Sequence, residues 1–107
     1  MSYIQQTAIT ASGTYTPTLT NVTNVSANTA FQTQWLRVGN TVTVGGKVDI
    51  DITTTLLASE IGMSLPVASN ITAKENAGGV AVGRNTQTEA ISIQGDAANN
   101  RVSFEWD

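Results

Sequence analysis

The stretch QWLRVGNTVTVGGKVDID, residues 34–51, decides the fold class. Apolar and polar residues alternate on both sides of Gly39-Asn40, and a period of two marks a half-buried strand. A two-residue loop that begins with glycine favours a type II′ turn, whose twist suits a hairpin. The loop sets the register. Val38 then opposes Thr41, Arg37 opposes Val42, Trp35 opposes Val44, Thr33 opposes Gly46 and Phe31 opposes Val48. One face carries Phe31, Trp35, Val42, Val44, Val48 and Ile50; the other carries Gln32, Gln34, Thr43, Lys47 and Asp49. The hairpin is predicted over residues 29–38 and 41–52. Its oddity is Gly45-Gly46, because glycine inside a strand costs stability and packs nothing. Gly46 falls on the apolar face diagonal to Trp35, where a missing side chain leaves room for an indole. Gly45 falls on the outer face, where it permits a bulge, a bend or the close approach of a neighbouring subunit's backbone.

The alternation recurs outward from this hairpin. Residues 14–20 place Tyr15, Pro17 and Leu19 on one side and threonines on the other. Pro17 cannot donate to a ladder, which puts this strand at an edge or gives it an irregular start. Residues 21–28 read as a polar connection. Residues 53–63 are the helix-like segment, with Leu56, Leu57 and Ile61 near helical spacing, but they are too few for more than one short turn. A short strand interrupted by Pro66 is expected in residues 64–72, a turn in residues 73–79 and a strand from Val80 that extends past Arg84. A second hairpin closes the chain. Pairing Gln94 with Arg101 across the loop 95–100 sets Ile93 opposite Val102 and Ile91 opposite Phe104. Ile91, Ile93, Val102, Phe104 and Trp106 then share a face. Seven or eight short strands with regular turn signals predict an all-β fold: an antiparallel β-sandwich, jelly-roll-like. The chain reads as one domain over residues 12–107, preceded by an N-terminal arm or edge strand in residues 1–11.

Composition excludes several function classes. The 107 residues contain no cysteine and no histidine, so disulfides, thiolate or imidazole metal sites and the usual neutral-pH proton shuttle are all missing. The net charge is −3 and the five basic residues are scattered singly, which gives no footprint for nucleic acid. No apolar run is long enough for a membrane helix. Charged residues make up only 12 %, about half the usual share, and Thr, Asn, Ser and Gln replace them. With abundant Val, Ile and Thr, that composition describes folded β material with a neutral polar surface.

The search for chemistry finds little. Asp49 and Asp51 share an outer strand face, and paired carboxylates can do acid–base work or bind calcium. They lack a third ligand, and Lys47 stands beside them, so a solvated strand face is the simpler reading. Glu105 and Asp107 form a similar pair. No nucleophile elbow exists, and the glycine-rich AGGVAVG, residues 77–83, lacks the Gly-Lys-Ser/Thr ending of a phosphate loop. Trp35, Trp106 and Tyr15 could stack on sugar rings, but both tryptophans fall on predicted apolar faces. The polar loops offer Arg84, Asn85, Gln87, Asp96, Asn99 and Asn100 as candidates for binding a receptor or a glycan. No residue is assigned to catalysis, to a metal or to a cofactor.

The pattern Trp35-x-Arg37-x-Gly39-Asn40-x-Val42-x-Val44-x-Gly46 is preceded by GTYTPTLTNVTNV (residues 13–25) and followed by SLPVASN (residues 64–70). Together these stretches resemble a small β domain of bacteriophage tail-fibre, tail-spike, head-fibre and decoration proteins. The resemblance covers residues 12–106. It implies a jelly-roll-like subunit in a homotrimer, located in the virion, with itself, other virion proteins and host surface glycan as partners. It implies no catalytic residue, no nucleic acid and no membrane insertion. Fibre versions usually follow a long shaft, whereas this chain begins at Met1; either a standalone virion protein or a piece of a longer one is expected. Two other readings fit the composition: a monomeric carbohydrate-binding module of a secreted enzyme, and a small glycan-cleaving enzyme that uses Asp49 and Asp51.

Overall fold

A computed structural model describes residues 10–67, 70–84 and 88–107. Ten strands, all paired antiparallel, form an all-β sandwich among them: β1 (Thr10–Tyr15), β2 (Leu19–Thr23), β3 (Val25–Ala30), β4 (Thr33–Val38), β5 (Thr41–Gly45), β6 (Val48–Ile52), β7 (Ser59–Met63), β8 (Gly78–Arg84), β9 (Thr88–Asp96) and β10 (Arg101–Trp106). They make a three-stranded sheet β1-β4-β5, a two-stranded ribbon β3-β6 and a five-stranded sheet β2-β7-β10-β9-β8. The count exceeds the expected seven or eight because kinks divide three of the expected strands. Of the N-terminal arm, residues 1–9 lie outside the described residues, while Thr10 and Ala11 open β1 as an edge strand on β4.

Each division has a local cause. Pro17 is buried and cannot join a ladder, so the chain leaves one sheet at Tyr15 and enters another at Leu19. The Tyr15 hydroxyl donates to the Ser64 carbonyl at 3.0 Å across this junction, and burial holds the phenol pKa above its usual value. Residues 21–28, expected as a polar connection, are mostly strand. They bend at Asn24, whose φ of 58° separates β2 from β3. Asn is among the residues that tolerate this left-handed region. Its side chain anchors the bend by donating to the Thr54 carbonyl (2.7 Å) and to Ser59 Oγ (2.9 Å).

The central hairpin keeps its predicted turn and inner register. Gly39 has a φ of 60°, as the first position of a type II′ turn needs, and Val38↔Thr41, Arg37↔Val42 and Trp35↔Val44 all pair. Beyond Gln34↔Gly45 the ladder stops, and it resumes at Ala30↔Val48. Three residues, 31–33, thus oppose two, 46–47. The extra residue flips Phe31 away from the Val48 face, where it had been expected, to the outer side. There the Lys47 ammonium sits 4.5 Å from its ring centroid. Gly45 stands at this kink, and nothing lies within 4 Å of a Cβ built on it.

The expected role of Gly46 also changes. A Cβ there would lie 2.5 Å from Thr33 Oγ1, and Thr33 is 3 % exposed. The glycine that makes room for the indole is Gly13 of β1, paired with Trp35, where a Cβ would come within 3.1 Å of Nε1. The hairpin register alone could not reveal this, since Gly13 lies 22 residues upstream of Trp35.

The helix-like segment resolves into a turn and a strand. Leu56 and Leu57 project into solvent, while β7 runs between β2 and β10. Pairing on both sides overrides the weak helical spacing. The described part of residues 64–72 forms no strand. Pro66 interrupts it, and side chains capture its backbone: Ile71 N–H donates to Asn100 Oδ1 (2.7 Å) and Thr72 N–H to Asn76 Oδ1 (2.8 Å). The last hairpin pairs Asp96 with Arg101 and Ile93 with Phe104, two residues away from the expected register. A shift of two preserves the faces, so Ile91, Ile93, Val102, Phe104 and Trp106 still stand together. Besides Pro17, the buried apolar side chains among the described residues are Ile61, Met63 and Val102, all in β7 and β10.

Replacing Gly46 with alanine should destabilise the protein by about 1–3 kcal/mol, the usual cost of overpacking, because Thr33 is enclosed. Gly13→Ala should cost less, since the indole needs to give only a few tenths of an ångström. It should shift the Trp35 emission spectrum, whereas Gly46→Ala should not. Denaturant melts and fluorescence of both variants in a Trp106→Phe background check the pair.

Candidate functional site

The polar loop candidates do not gather into one site. Arg84 ends β8 opposite Thr88, while Asp96 and Arg101 pair at the other end of the nine-residue β9. At about 3.3 Å per residue, the two turns lie roughly 25 Å apart along the strand. Asn85 and Gln87 fall outside the described residues. Asp96, Asn99 and Asn100 are engaged in holding their own turn. Asp96 Oδ2 accepts from Asn99 Nδ2 (3.0 Å) and Arg101 Nε (3.1 Å), and its side chain is 17 % exposed. The Asn99 amide first, with the Arg101 guanidinium beside it, draws the Asp96 carboxyl below its usual range. Asn100 takes a φ of 51° and accepts from Ile71 N–H, so it fastens the turn to the loop before β8.

The acidic pairs are equally plain. Asp49 and Asp51 are exposed on β6 opposite Thr29 and Ala27. Among the described residues no three His, Cys, Asp or Glu side chains stand close enough to hold a metal ion. A pair that the sequence did not reveal is Glu60 and Glu105, directly opposite each other on β7 and β10. Reading Glu60 into a helical turn had hidden it. Like charges in this position repel; the Ser103 hydroxyl donates to Glu60 Oε2 at 2.7 Å and disperses part of that charge. The two carboxylates, Ser92 and the Trp106 edge line a shallow cleft of about 430 Å³ at one end of the sheet. Such a wall can accept hydrogen bonds from hydroxyl groups.

The larger cavity has a mixed polar and apolar lining. The inner faces of the hairpin and of the five-stranded sheet line one groove of about 1800 Å³, bounded by Val44, Val48 and Ile50 on one side and Ile91, Phe104 and Trp106 on the other. All six are only half-buried. In a closed sandwich these inner faces interdigitate and exclude water. Among the described residues, burial on these faces is greatest at Ile61, Met63 and Val102 of β7 and β10. Trp106 borders this groove, whereas Trp35 leans on Gly13, so the two tryptophans and Tyr15 do not form one stacking platform. Apart from Phe31, the sequence pattern located both faces. It carried no sign that they would remain apart.

Comparison with protein-family models, with curated proteins and with solved structures finds no match for this chain.

Asp96 has a definite pH signature. Its folded pKa lies below the unfolded value near 3.9, so its contribution to stability is present above that pH. The contribution is lost as pH falls through the lower folded value. Asp96→Asn should therefore lower the melting temperature at pH 7 and flatten the acid limb of the stability curve below about pH 4. Thermal melts of both proteins across that window check the sign.

Proposed function

We propose that this chain is a structural domain of a bacteriophage virion, of fibre-tip or capsid-decoration type, which works as a homotrimer and mediates attachment to a host surface. The observation that supports this reading is the unfilled groove. A domain of this size is marginal on its own, and partners that cover its apolar faces supply burial that the single chain lacks. The neutral surface rich in Thr and Asn suits permanent packing of subunits, because few charges need to be desolvated. The resemblance of residues 12–106 to phage fibre and decoration domains supplies the biological setting. We assign the chain no catalysis; its polar turns and the cleft beside Glu60 and Glu105 offer hydrogen bonds to a host glycan.

Light scattering on the eluting size-exclusion peak tests the assembly. A mass three times the 11.2 kDa of the chain is expected, with a melting temperature that rises with protein concentration as linkage requires. A monomer that keeps a concentration-independent melting point would overturn the reading and favour a monomeric carbohydrate-binding module.

A further inference from the structure

The five-stranded sheet ends at β8, Gly78–Arg84, which pairs with β9 along its whole length. Among the described residues no strand covers its other edge. Natural edge strands discourage further pairing with charges, proline or bulges. Residues 78–83 of β8 have none of these: GGVAVG is uncharged, and its register with β9 is unbroken. Val80 is 94 % exposed and Val82 61 % exposed on the outer face. On the inner face Gly79, Ala81 and Gly83 keep the strand thin. A long, flat, apolar edge of this kind is a template for another strand.

A second edge of matching chemistry lies across the same groove. β5, Thr41–Gly45, pairs only with β4 among the described residues, carries no charge and has a β-branched residue at each of its first four positions. The other edges differ. β1 is uncharged but does not line the groove, β2 and β3 are broken by irregularities at Asn21/Thr23 and Val25/Ala27, and β6 carries Asp49 and Asp51. β5 and β8 both border the groove, one on each side.

We infer that the β8 edge of one copy pairs with the β5 edge of the next, so that sheets run continuously between copies of this chain and roof the groove. A contact between two different edges is heterologous, and a heterologous contact closes a ring when the rotation fits. Pairing β8 with another β8 would instead give a two-fold dimer. The groove-lining faces of the two strands become continuous, which leaves Val80 and Thr43 on the same outer side. The inference rests on the homotrimeric reading and specifies its interface.

Cysteine cross-linking tests it, because the native chain has none. Four double variants combine Val80→Cys or Val82→Cys with Thr41→Cys or Thr43→Cys. At least one should oxidise to a disulfide-linked ladder that ends at three chains, since paired strands bring Cα atoms within about 4.4–6.8 Å. Neither Val80→Cys nor Val82→Cys alone should link. A dimer from either single variant would mean that β8 meets β8 and would overturn the proposal. So would failure of all four double variants to link. Hydrogen exchange on the unmodified protein is the second measurement. The amides of residues 78–84 that point away from β9, every second one along the strand, should be protected in the assembly and exchange at least tenfold faster after dilution to monomer. Equal protection in the monomer would mean that the chain covers its own edge, and would also overturn the proposal. An intact trimer without these links sinks the strand pairing and leaves the homotrimer standing; a monomer in undiluted solution removes both.

Discussion

The rest of the structure depends on an imbalance between backbone pairing and side-chain burial. Ten strands satisfy one another's hydrogen bonds in three antiparallel groups. Such ladders largely exchange water for protein partners, and each bond contributes only about 1 kcal/mol net. Apolar burial supplies most of the drive in an ordinary domain. In this chain burial is concentrated in β7 and β10, around Ile61, Met63 and Val102. Everything lateral to those strands is well paired and poorly covered. The hairpin β4-β5, the ribbon β3-β6 and the outer strands β8 and β9 thus have settled backbones and unsettled inner faces.

The kinks explain how the lateral parts are held in place without a core. Asn24 lets the chain turn from β2 to β3, and its side chain and carbonyl bind the loop after β6: Thr53 N–H donates to Asn24 O (3.0 Å), and Thr54 N–H donates to Asn24 Oδ1 (2.9 Å). Ser64 does the same on the other side, with its hydroxyl accepting from Thr18 N–H (2.8 Å) and its N–H donating to Thr18 O (3.0 Å). At the bulge, Lys47 covers Phe31, an interaction of about 0.5–1 kcal/mol at an exposed site. These contacts are polar and directional. They set the angle between sheets where apolar packing does not.

How much of this was legible follows from which physical signals are local. The period of two and the Gly39-Asn40 turn were readable, and they delivered the hairpin faces around Trp35 and Val44. The final hairpin also kept its faces, because an error of two residues in register does not change them. Gly45-Gly46 marked a bulge or a bend, but not which strand would carry the extra residue, so the changed face of Phe31 was not readable. The role of Gly13 was hidden because it pairs with Trp35 across 22 residues. β7 was misread because its strand character comes from neighbours on both sides and not from its own spacing. The polar candidates were chosen by residue type. Asp96, Asn99 and Asn100 proved to be turn fasteners, since Asn and Asp side chains compete well for backbone and side-chain partners in turns.

The same locality explains why the groove could not be foreseen and why it matters for function. Alternation tells which side chains face inward. It does not tell whether the inward faces belong to one chain or to several. A chain that completes its own core gains little by associating, and its edges can be blocked by charge at no cost. Here the charges lie on β4 (Arg37), β6, β7 (Glu60), β9 (Glu89 and Asp96) and β10, at Arg84 and in turns, while Gly78–Gly83 and Thr41–Gly45 carry none. Uncharged edges on a monomer invite aggregation. They are tolerable where assembly into a closed ring uses them up, because a ring leaves no free edge to propagate. The open groove and the bare edges are the features that the proposed assembly of several copies accounts for.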